Sequence, residues 1–98
     1  MVLATLNSPR EKFWGVLLEL AAAGVVLRGI SLESFDDFVR LTRAKEPSSV
    51  STVFFPMHRL ERLEADEPCG EAPSLAEQFT GKTGLNAAAA LLGGEVRP

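Results

Sequence analysis

The stretch KFWGVLLELAAAGVVLRGISL, residues 12–32, constrains the fold more than any other part of the chain. As one helix it would carry glycines at 15, 24 and 29 and the β-branched pair Val25–Val26, all of which weaken a helix interior. As two strands it divides naturally at Ala21–Gly24, into KFWGVLLEL and VVLRGISL. On the first strand Phe13, Gly15, Leu17 and Glu19 face one way, and Trp14, Val16, Leu18 and Leu20 the other. The second strand alternates less cleanly. The spacing predicts a β-hairpin.

The flanking segments fit around that hairpin. Val2–Leu6 is a short apolar strand ended by the turn-forming NSP. ESFDDFVRLTRAKEP reads as a helix over 34–45. Ser34 is its expected cap, Asp36 and Asp37 lie at its start, and Arg40, Arg43 and Lys45 lie toward its end. Phe35, Phe38, Val39 and Thr42 share one face, and Pro47 stops the helix.

Val53–Phe55 forms a further strand. Pro56 cannot donate to a ladder, so that strand ends or lies at an edge there. Met57, Leu60 and Leu63 are three apart, a spacing that suits a tight helical turn, and ERLEAD then resumes as a strand. Residues 64–73 are loop. PSLAEQF starts a helix with Ser74 and Glu77 in a capping-box arrangement, ending near Gly81. LNAAAALLGG either adds a weak last helix capped by Asn86 or frays.

Ninety-eight residues make one domain. The expected division is a single α+β domain over 1–84 and a weak helix or frayed tail over 85–98. A net charge of −3 argues against general charge-driven binding to nucleic acid, though not against a small basic patch. The single cysteine, Cys69, cannot staple the fold or build a thiolate cluster, which fits a reducing, cytoplasmic compartment. The longest apolar run, Val16–Leu27, contains Glu19 and is too short to span a bilayer, so no membrane association is expected.

Few residues offer chemistry. His58 is the only histidine, and one histidine with a distant cysteine cannot supply the four ligands of a zinc site. The carboxylate pairs Asp36–Asp37, Glu61–Glu64 and Asp66–Glu67 read as helix charge and solvated loop rather than a catalytic dyad on facing walls. GKTG at 81–84 lacks the earlier glycine and preceding strand of a phosphate loop. No cofactor, metal or catalytic residue is expected, and the chain is not expected to be an enzyme. Arg59 and Arg62 flank the corner after Pro56. Arg28, Arg40, Arg43 and Lys45 could approach it if the helix packs over the sheet. With Trp14 or Phe54 exposed nearby, His58, Arg59, Arg62 and Trp14 would form a small stacking-and-phosphate surface. The alternative is that Arg59 and Arg62 pair with Glu61, Glu64 or neighbouring strands.

At ESFDDFVRL (33–41) and HRLERL (58–63) the chain resembles the bacterial Sm-like RNA chaperones of the Hfq type. That resemblance implies a small, strongly bent sheet that assembles into rings and binds RNA, with His58 at the RNA-contacting corner. Where that family has a tyrosine and a lysine before the histidine, this chain has Pro56 and Met57. GVVLRGISLESFDDFVRL also resembles the latter half of a PDZ domain, without its carboxylate-binding loop. The pattern FWG…RGI…SFDDF…VFFPMHR is similar to that of a small bacterial family, and this likeness implies no function.

Together these readings predict an α+β fold: a small, strongly curved antiparallel sheet in the order β-β-β-α-β-β-α, with an Sm-like barrel as one form of it. Trp14, Leu18, Val26, Ile30, Phe35, Phe38, Phe55, Leu60 and Phe79 are the expected core. Open edges on so small a sheet favour a homo-oligomer over a monomer. The expected function is a non-catalytic binding or regulatory module whose partner is protein, itself included. The alternative is an RNA-binding Sm-like module.

Overall fold

The computed structural model describes residues 1–93. Five strands run in the order β1 (Val2–Leu6), β2 (Glu11–Ala21), β3 (Gly24–Ser31), β4 (Ser51–Pro56) and β5 (Leu60–Ala65). Three helices, α1 (Phe35–Arg43), α2 (Leu75–Thr83) and α3 (Ala87–Gly93), complete the fold. The sheet is antiparallel throughout, with spatial order β4-β3-β2-β1-β5. The α+β class and the central hairpin are as the sequence predicts. The sheet does not close, since β4 and β5 form its two edges.

Its two faces carry two separate cores. On one face the helices bury Trp14, Ile30, Phe35, Phe38, Val39, Phe79, Ala87 and Leu91. Trp14 lies at the centre, edge-on to Phe35 at 5.3 Å, while Phe38 and Phe79 stack at 5.1 Å. The other face gathers Ala4, Leu6, Phe13, Val25, Leu27 and Phe55, with Leu60 and Leu63 packed against them. No helix contributes to this second cluster, yet four of its members are fully buried. The sheet must therefore curl so that its own edges cover its inner face. Gly15 and Gly29 sit opposite each other in the ladder and permit that curl. A Cβ on Gly29 would lie 2.0 Å from the Trp14 carbonyl oxygen, so nothing larger than glycine fits.

A 3-10 turn at Met57–Arg59 joins β4 to β5 and is pinned at both ends. The Met57 amide donates to the Ala23 carbonyl in the β2–β3 turn, and the Asn7 amide donates to the Arg59 carbonyl. The corner thus ties the hairpin tip to the end of β1. Pro56 is the last residue of the edge strand β4, where a missing donor costs nothing.

Two bulges override the simple alternation of the strands. Leu18 is an extra residue in β2, and Glu61 is an extra residue in β5. The second explains the spacing of Leu60 and Leu63. Both point to the inner cluster because a bulge separates them, and the helical turn stops at Arg59. The first removes Leu18 from the core: it is 48% exposed. Val26 and Leu60 are only partly buried, whereas the other six expected core residues are buried.

The helices need two smaller corrections. A 3-10 turn at Leu32–Ser34 runs straight into α1, so Ser34 is already helical and its hydroxyl caps nothing. The C-terminal end of α1 is made by Lys45 at φ +59, whose amide and that of Glu46 bond back to Thr42 and Leu41, two residues before Pro47 can act. The Ser74–Glu77 capping box on α2 is present in both directions. Helix α2 passes through Gly81 to Thr83 and stops at Gly84, whose φ of +79 suits glycine. The side chain of Asn86 accepts the Ala89 amide at the start of α3, and Leu91 is 1% exposed. Residues 94–98 of the expected tail lie outside the described residues.

Candidate binding surface

The four residues expected to form a binding patch do not converge. Trp14 is fully buried, and its indole N–H donates to the Asp66 carboxylate at 2.9 Å. It has no face to offer a ligand, which corrects the expectation of a stacking tryptophan at the surface. Burial follows from its register: Trp14 pairs with Leu3 and Ile30 in the row that the helices cover.

Arg59 is held by its own fold. Its Nε donates to the Asn7 carbonyl at 2.9 Å, and its Nη2 donates to the Pro9 carbonyl and the Glu11 carboxylate at 2.8 and 2.9 Å. The guanidinium also lies over the Phe55 ring, 5.9 Å from its centre. These contacts clamp the β1–β2 turn. Arg62 projects from β5 and pairs with Glu64 at 3.0 Å, with 71% of its side chain exposed. His58 is exposed on the corner.

Arg10 pairs with Glu61 beside the corner at 3.7 Å, while the basic residues of β3 and α1 are placed elsewhere. Arg28 donates to the Leu91 carbonyl of α3 and to the hydroxyl of Thr52, its neighbour on β4. Arg40 pairs with Asp37, and Arg40, Arg43 and Lys82 line an open cleft of about 660 Å³ between α1 and α2. Among the described residues no three His, Cys, Asp or Glu side chains gather as a metal site. Cys69 is exposed and free in a short turn closed by its reciprocal backbone bonds with Ala72. None of the described helices is long and apolar enough to cross a membrane.

The surface that stands out is apolar and lies at the far end of the hairpin. Strand β1 pairs with β2 only from Glu11 to Gly15. Beyond that point, among the described residues, β2 has a ladder partner on the β3 side alone. Every residue from Leu17 to Ala21 is exposed, with Leu17, Leu18 and Leu20 at 37%, 48% and 56%. Phe54 on the edge strand β4 is 52% exposed, and its ring lies against Gly24. The sequence carries a trace of this arrangement. VLLELA is apolar on both strand faces, which suits either a strand buried on both sides or one that docks.

Comparison with models of protein families, with curated proteins and with solved structures finds no match for this chain.

Proposed function

We propose that this chain is a non-catalytic binding module that acts through contacts with protein, its own copies included. The observation that carries this reading is the outer half of β2, where three leucines are exposed on a strand edge that has no ladder partner among the described residues. Scattered exposed leucines are ordinary. Three within four residues, beside a strand edge without a ladder partner among the described residues, make an adhesive edge of the kind that proteins usually cover or charge. Glu19 is the only charge in Val16–Ala21.

A second reading, an RNA-binding Sm-like module, draws on the curled five-stranded sheet and on the exposed His58 at the corner. Its weak point is the chemistry. Arg59 is committed to the β1–β2 turn, and Arg62 shares its charge with Glu64. Native mass spectrometry on protein purified without nuclease separates the two. The binding-module reading predicts a homo-oligomer free of nucleic acid. A ring carrying short RNA, released by salt and lost in Arg62→Glu, would overturn it in favour of the second reading.

A further inference from the structure

We infer that the cleft between α1 and α2 is a binding site for a small phosphate monoester of the sugar-phosphate class. None of its lining residues belongs to β2, so this ligand neither requires nor excludes the protein contacts proposed above. Two helices build the cleft. Arg40 and Arg43 lie one turn apart on the same side of α1, and Lys82 stands in the last turn of α2. The stacked rings of Phe38 and Phe79 hold the two helices together, and Phe79 lies one turn before Lys82. The cations are thus carried on packed, rigid elements. Lys82 belongs to the GKTG stretch, but Gly81–Thr83 are helical, so it offers an ammonium without the amide cradle of a phosphate loop.

Charge selects the ligand. The chain has a net charge of −3, yet this cleft of about 660 Å³ gathers three cations against one lining carboxylate, Asp36. Among the described residues Arg43 and Lys82 have no ion-pair partner. Arg40 meets Asp37 at 3.2 Å, but both side chains are largely exposed, and such a pair yields readily to a stronger acceptor. A helix C-terminus is served by a cation on any side of its last turn, whereas these three line one concavity. Donors approaching from opposite walls suit the three terminal oxygens of a phosphate better than the two coplanar oxygens of a carboxylate. The volume exceeds that of a bare phosphate and falls in the range of small-molecule sites, which leaves room for an organic part. Asp36 defines the other end. It lies two turns before Arg43, roughly 10 Å along the helix, where it repels phosphate and can accept a hydroxyl from the ester's organic part.

Titrations of the full chain, followed by amide chemical shifts, test this with ribose-5-phosphate, inorganic phosphate and a short single-stranded oligonucleotide as probes. Ribose-5-phosphate should bind saturably with a Kd of about 0.1–1 mM, at least ~3-fold tighter than inorganic phosphate. Lys82→Gln and Arg43→Gln should each weaken it at least ~5-fold with the melting temperature unchanged, because both side chains are exposed. Asp36→Ala should erase the preference for the ester over inorganic phosphate. Shifts that never saturate, or binding indifferent to both Lys82→Gln and Arg43→Gln, would overturn the site. Tighter binding of the oligonucleotide, lost in the same two variants, would overturn the small ligand in favour of a nucleic-acid backbone.

Discussion

The Asp66 carboxylate accepts the Trp14 indole N–H at 2.9 Å and, on the same group, the amides of Leu75 and Ala76 in the first turn of α2. One side chain thus locks the central strand of the sheet to the helix layer. It also satisfies two of the donors that a helix N-terminus leaves open. The arrangement complements the Ser74–Glu77 capping box, in which the Ser74 hydroxyl accepts the next amide, that of Glu77.

Asp66→Ala should therefore destabilise the fold by about 2–4 kcal/mol, since it strands the indole N–H of a fully buried tryptophan and removes two charge-assisted bonds. Asp66→Asn should cost less, because its amide oxygen still accepts. Urea denaturation followed by tryptophan fluorescence reads both, Trp14 being the only tryptophan. An alanine variant as stable as the parent would contradict the role given to Asp66.

Arg59 and Arg62 should separate cleanly in stability. Arg59→Ala removes three hydrogen bonds and a ring contact from the β1–β2 turn and should cost about 1–3 kcal/mol. Arg62→Ala removes one exposed ion pair and should change stability by less than ~0.5 kcal/mol. Thermal melts of the two variants check this. A consequence is that loss of binding in an Arg59 variant reports folding, so Arg62 is the informative position for any nucleic-acid assay.

Gly29→Ala should be strongly destabilising, by about 3 kcal/mol or the loss of soluble protein. The added Cβ meets backbone atoms of Trp14 and Gly15, which cannot rotate away. Gly81→Ala should be neutral or slightly stabilising, because a Cβ there meets open space within α2. Parallel expression and melting of the two variants decide it.

Helix α3 should behave as part of the core despite its short alanine-rich sequence. Leu91→Ala should cost about 2–5 kcal/mol, while Leu85→Ala, at a half-exposed position just before the helix, should cost less than ~1 kcal/mol. Equal effects would indicate that α3 docks only loosely.

The legible parts of this fold were those decided by near neighbours. The hairpin follows from its glycines and strand alternation, β1 from a short, mostly apolar run before a turn, and α2 from a capping box spanning four residues. What the sequence concealed depends on distant partners. Leu18 reads as core until the Leu17–Glu19 bulge is known, because alternation counts every residue equally. The link from Asp66 to Trp14 spans 52 residues, and within its own segment Asp66 resembles any loop carboxylate. Arg59 looks like a free surface cation because the carbonyls that hold it belong to a turn some 50 residues earlier. The candidate surface is half visible: VLLEL reads as a strand, but which of its residues lack a ladder partner among the described residues depends on the β1–β2 and β2–β3 registers.

The central claim is that an exposed apolar strand edge makes this chain a module that associates with protein. Sedimentation velocity on the untagged protein, from ~1 µM to ~1 mM, tests it most directly. A reversible shift from monomer to dimer that is insensitive to salt is the predicted result, as expected for a contact built from leucines and backbone hydrogen bonds. A single monomeric species across the whole range would contradict it.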